Sequence, residues 1–218
     1  MKVFFLLLFV VSSAVHLYAS LKTDKTLRAW SKGFIVSALL GWYCLSVPDV
    51  SYIVVAALFF SWLGDMLLIP KGIKWFTAGG ISFMASHVCF ILAYWPNVDL
   101  SVIPPYLATL AAWAYGLTAA MVFRKLKPWL PKPLFYPMFL YLLINGTMNC
   151  FAFYQLLSLP CAATVVTFIG AMLFFASDSI LFYVRFKKDT RWKTHFPVML
   201  TYIFAEYLIV LGIIMLAR

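Results

Sequence analysis

Two aspartates, Asp65 and Asp178, each stand inside a run of apolar residues. Each is followed by a basic turn and a further apolar run with one more ionisable side chain, His87 after the first and Glu206 after the second. Two carboxyls with a histidine are groups that general acid–base catalysis uses; the same set at membrane depth can form a proton relay. Smaller polar residues keep helical register with them: Ser61 with Asp65, Tyr202 with Glu206, and Tyr141, Asn145 and Asn149 four residues apart on one face. Ser177 adjoins Asp178, and Lys32 opens a further apolar run.

The elements that carry these residues follow from composition. The 218 residues are 65% hydrophobic, 19% aromatic and 11% charged, with a mean hydropathy of +0.96. Such a chain is a polytopic membrane protein, a single all-α domain over residues 1–218 with no room for a separate soluble unit. Eight spans are expected, at roughly 3–19, 31–47, 50–69, 74–95, 103–123, 134–157, 161–184 and 196–217. All eleven prolines fall at or near the ends of these spans, where helices start or stop. The first run begins like a signal peptide, but four cations follow it against the single Lys2 before it, so it reads as a retained span.

Charge sets the orientation. The first connection holds Lys22, Lys25, Arg28 and Lys32, and the third Lys71 and Lys74. The fifth holds Arg124, Lys125, Lys127 and Lys132, and the seventh Arg185, Lys187, Lys188, Arg191 and Lys193. The even connections hold no Lys or Arg, so the odd ones are cytoplasmic and both termini lie on the other side. The net charge of +10 is therefore a topology signal, and no nucleic-acid partner is expected. LGDMLLIPKG and ASDSILFYVRFKK share a small residue, an aspartate, apolar residues and a basic exit, which points to a parallel 4+4 internal repeat.

At ~1.5 Å per residue, Asp65 lies about 9 Å from Lys71 and Asp178 about 10 Å from Arg185, in the cytoplasmic third of the bilayer. His87, Glu206 and Asn145 fall nearer the midplane by the same arithmetic. These groups must face one another or a watery pocket, because lipid cannot satisfy them. Simpler readings exist: the aspartates pair with snorkelling Lys or Arg, His87 is a packing histidine, and the asparagines join helices. His16 and His195 are expected apart from His87, which argues against a three-histidine metal site. The four cysteines have no CxxC spacing and read as packing residues, and GxSxG, HExxH and P-loop patterns are absent. A hydrolase and a proton-coupled carrier both remain open on these residues alone.

The motifs themselves resemble the YhhN-type family, which includes the lysoplasmalogenases. The resemblance rests on LGDMLL at 63–68, on Phe76, Gly79/Gly80, Phe83 and His87, on SDSIL at 177–181, on the Tyr202–Glu206 region, on Lys32 and on the Asn145–Met148 stretch. Gly33 stands where that pattern has proline, and Glu206 where it often has glutamine. The resemblance implies hydrolysis of the vinyl ether bond of a lysophospholipid, a lysoplasmalogen, to a fatty aldehyde and glycerophosphoethanolamine or glycerophosphocholine, with water as co-substrate and neither metal nor organic cofactor. Asp65 and Asp178 would divide the acid and base roles with His87 assisting. Lys32, Tyr141, Asn145, Asn149, Ser177, Tyr202 and Glu206 would bind substrate, with the phosphate near Lys32. A bacterial cytoplasmic membrane is expected rather than endoplasmic reticulum, since no retention signal or long tail is present.

Overall fold

A computed structural model describes residues 1–187 and 195–217. The described residues form eight α-helices: α1 Lys2–Lys22, α2 Lys25–Cys44, α3 Tyr52–Leu67, α4 Ile73–Tyr94, α5 Pro105–Leu126, α6 Phe135–Ser158, α7 Ala162–Phe186 and α8 Phe196–Leu216. Six of them are long and apolar enough to cross a membrane; α3 is apolar but shorter, with 16 residues, and α2 carries the cations Lys25, Arg28 and Lys32 near its start. The protein is a helical membrane bundle, and no strand occurs among the described residues.

The second helix begins at Lys25, not near residue 31. Thr23 closes α1 in the left-handed conformation (φ 57°), and Asp24 caps α2 by accepting from the Thr26 and Leu27 amides, both at 3.0 Å. A side chain that satisfies two free N–H groups starts a helix regardless of the charges that follow. Arg28 and Lys32 therefore lie one turn apart on the same face of α2.

Each helix packs on the next within four pairs, α1 on α2, α3 on α4, α5 on α6 and α7 on α8, with α2 against α3 and α6 against α7 joining them. The contact of α4 with α6 is answered by that of α8 with α2, so the packing scheme of the first four helices recurs in the last four. The α7–α8 crossing is close because of glycines. A Cβ on Gly170 would sit 2.8 Å from the Ile209 nitrogen, and one on Gly212 would overlap the Thr167 hydroxyl.

The odd connections share one end of the bundle. A polar cleft is lined together by Arg28, Pro70, Arg185 and His195, and an apolar groove by Phe76, Leu134 and Phe186. The positive-inside rule makes this the cytoplasmic end. Lys188, Arg191, Lys193 and Arg218 lie outside the described residues.

Candidate active site

Asp65 stands near the C-terminal end of α3 and is 2% exposed. Its Oδ1 is 3.1 Å from Lys32 Nζ, and its Oδ2 accepts a hydrogen bond of 2.8 Å from the Tyr202 hydroxyl. Both oxygens are engaged, one of them by a cation. The partner is Lys32 on α2, not Lys71 just beyond Asp65 in the chain.

Asp178, two turns before the end of α7, is 5% exposed and has a different set of neighbours. Its Oδ2 accepts from the Tyr141 hydroxyl at 2.6 Å and from Asn145 Nδ2 at 2.7 Å. His87 Nε2 lies 3.8 Å from the same oxygen, too far for a hydrogen bond, and no Lys or Arg among the described residues pairs with this carboxyl. Oδ1 receives no hydrogen bond from the described residues. Asn149 donates to the Asn145 carbonyl and to Asn145 Oδ1, at 3.0 and 3.1 Å, which turns the Asn145 amide so that its NH2 faces Asp178. Asn145 thus reaches the depth of Asp178, although rise along the helix alone sets it deeper.

Both aspartates, Lys32, Ser177 and Tyr202 line one cleft of about 100 Å³. Ser177 donates its proton to the Val198 carbonyl at 2.9 Å and so ties α7 to the first turn of α8. His87 and Glu206 are buried just inside, with no hydrogen-bond partner among the described residues for both nitrogens and both carboxylate oxygens. His87 packs edge-on against Phe174 and Tyr141, at 4.8 and 5.4 Å between ring centres, and Phe174 also meets Phe83 and Tyr202. Ser61 is hydrogen-bonded to Ser86 at 2.8 Å.

A second cavity adjoins the first. It is a groove of about 550 Å³ between the starts of α4 and α6 and the end of α7, with almost wholly apolar walls. Phe76 lines both cavities, and Tyr141, which holds Asp178, lines the groove. Two carboxyls of unlike surroundings thus line the polar cleft, which meets the apolar groove at Phe76, and Asp178 is joined to the groove wall through Tyr141.

The sequence model of the YhhN family matches residues 27–213, which is most of the chain and includes every side chain that touches the two aspartates. The protein belongs to the YhhN family. No curated protein and no solved structure matches it.

In this YhhN-family chain the cleft also gathers residues that sequence reasoning set aside. His16 and His195, expected in different places, both line it with Arg28 and Arg185, while His87 does not. The tight Thr23–Asp24 turn brings His16 opposite Ser31, to which its Nδ1 is hydrogen-bonded at 2.9 Å. The spacing of Arg28 and Lys32 was the available signal for a basic face on α2. Nothing local announced His195. Among the described residues, no three His, Cys, Asp or Glu side chains are grouped so as to hold a metal ion.

Proposed function

We propose that this protein is an intramembrane hydrolase that cleaves the vinyl ether bond of lysoplasmalogens, releasing a fatty aldehyde and a glycerophospho-alcohol. The observation that carries this reading is a pair of unlike carboxyls in one polar cleft that meets an apolar groove at Phe76, with Asp178 held by Tyr141 of the groove wall. In a lysoplasmalogen the bond to be broken is the one between the polar glycerophosphate and the hydrocarbon chain, so head group and chain occupy the two cavities while that bond lies between them.

The neighbours divide the roles. Asp65, ion-paired with Lys32, is the carboxylate; Asp178, held by neutral donors alone among the described residues, carries the acid proton on Oδ1. Asp178 transfers this proton to the second alkenyl carbon as the C=C π pair forms the new C–H bond. The positive charge moves to the first carbon and the ether oxygen, where the Asp65 carboxylate stabilises it. Water attacks the first carbon and gives its proton to a carboxylate, aided by His87. The hemiacetal then collapses, and the glycerol oxygen leaves with a proton. One water is consumed and both carboxyls return to their starting states.

Purified protein with lysoplasmalogen in D2O tests this directly. The expected aldehyde carries one deuterium on its second carbon, and the matching saturated ether lysolipid gives no aldehyde. Aldehyde without that deuterium sinks carbon protonation, and no aldehyde at all sinks the hydrolase reading. A proton-coupled carrier is the second reading, favoured by the buried His87 and Glu206, which have no hydrogen-bond partner among the described residues. Uptake into proteoliposomes without product formation would select it.

A further inference from the structure

The basic end of the cleft has more cationic groups than the aspartates use. Lys32 is paired with Asp65. Arg28, one turn away on the same face of α2, and Arg185, near the end of α7, line the cleft with no carboxylate partner among the described residues. Arg28 Nε is buried with no hydrogen-bond partner among the described residues. The Arg185 guanidinium lies over the Phe76 ring at 5.4 Å, which fixes its position and leaves its N–H edge available. Guanidinium groups are the side chains best matched to a phosphodiester, which they bind through paired N–H groups.

His16 adds an acceptor. Ser31 donates its own proton to the Leu27 carbonyl at 2.7 Å, so it accepts from the His16 Nδ1–H. In that tautomer Nε2 carries the lone pair; it is buried with no hydrogen-bond partner among the described residues, and His16, only 1% exposed, lines the cleft. Two cations and a buried acceptor in about 100 Å³ ask for a small ligand that is an anion and also carries a hydroxyl.

We propose that this end of the cleft is a glycerophosphate subsite: Arg28 and Arg185 hold the phosphodiester, and His16 Nε2 accepts the hydrogen of the free glycerol hydroxyl. The inference rests on the hydrolase reading for the orientation of the lipid, with the chain leaving past Phe76 into the apolar groove. It moves the phosphate contact from Lys32 to the two arginines and makes His16 the residue that selects lysolipids. A second chain on that hydroxyl removes the donor and adds bulk where the ring nitrogen stands.

Binding of an uncleavable ligand tests this apart from catalysis. Calorimetry on the full chain in detergent would compare a saturated 1-O-alkyl lysophospholipid, its 2-O-methyl ether, the 1-O-alkylglycerol without phosphate, and inorganic phosphate. The wild type is expected to bind the lysophospholipid at least about tenfold tighter than the alkylglycerol or the methyl ether. Arg28→Gln and Arg185→Gln are each expected to weaken the lysophospholipid about tenfold and leave the alkylglycerol unchanged. His16→Ala is expected to remove the discrimination against the methyl ether. Arg185 is exposed, so its variant keeps the fold whatever happens at Arg28. Equal binding of lysophospholipid and alkylglycerol, or unaltered affinity in the Arg185 variant, overturns the proposal. So does inorganic phosphate binding as tightly as the lipid, which would mark a free-phosphate site. Missing aldehyde with these affinities intact would overturn only the hydrolase reading.

Discussion

Lys32 and Asn145 hold equivalent places in the two halves of the chain. Each precedes its aspartate by 33 residues and reaches it from the preceding helix, Lys32 by a 3.1 Å ion pair to Asp65 and Asn145 by a 2.7 Å hydrogen bond to Asp178. The recurring helix packing brings both aspartates to one cleft, and the change from ammonium to amide makes the two carboxyls chemically unequal. A symmetric bundle thereby acquires an asymmetric site.

That inequality predicts different consequences for the two isosteric substitutions. Asp178→Asn keeps an acceptor for Tyr141 and Asn145, so it is expected to lower kcat by about 10²–10⁴-fold and leave the melting temperature in detergent nearly unchanged. Asp65→Asn leaves Lys32, only 14% exposed, without its carboxylate and is expected to cost about 1–3 kcal/mol of stability as well as rate. A combined Lys32→Met and Asp65→Asn variant should recover part of that stability and none of the activity. Equal melting temperatures for the two single variants would contradict the assignment.

The groove makes a prediction about chain length. A side chain added at Gly80 meets nothing within 4 Å and projects from the wall of the apolar groove. Gly80→Leu should therefore fold well, since leucine also favours the helix by about 1 kcal/mol over glycine. Its KM for long-chain lysoplasmalogens should rise about tenfold or more, with a short-chain analogue little affected; losing the two apolar carbons' worth of contact at the groove mouth is enough for such a change. Equal KM changes for both chains would show that the chain lies elsewhere.

Gly170 predicts the opposite behaviour. Its hydrogen faces the backbone of α8, with the Ile209 nitrogen 2.8 Å and the Ala205 oxygen 2.9 Å from where a Cβ would stand. Gly170→Val must push α8 away, at a cost of about 1–3 kcal/mol. Tyr202 rides on α8, so its bond to Asp65 should fail and activity should fall together with thermal stability. Full activity in a variant with a lowered melting temperature would separate α8 from the site.

His195, just before α8 and outside the span, links stability to pH. Burial first, then the nearby Arg28, Lys32 and Arg185 cations, lower its pKa from the ordinary 6.5 to about 4. The folded protein therefore favours the neutral ring. The stability it contributes is complete above pH 6.5 and is lost as pH falls through about 4. Melting curves between pH 7 and 4 should show this decline, and His195→Gln should flatten it; a variant that declines as steeply as the wild type would assign the loss to another group.

Hydropathy, proline positions and loop charge act locally along the chain, and they determined the all-helical membrane bundle, the spans carrying Asp65 and Asp178, and the side on which the basic connections lie. They also placed polar residues of six spans near one another, by helical register and depth. Helix partners are long-range contacts, which only the tertiary structure decided. Rise along α3 offered Lys71 to Asp65, whereas packing of α2 on α3 supplied Lys32; Arg185 follows Asp178 in the chain, yet lies over Phe76. The same holds for His16, Arg28 and His195, whose convergence depends on the Thr23–Asp24 turn and on α8 returning beside α1 and α2. A cation's neighbour in sequence is fixed by the covalent chain, but its ionic partner is fixed by which helix faces fit together.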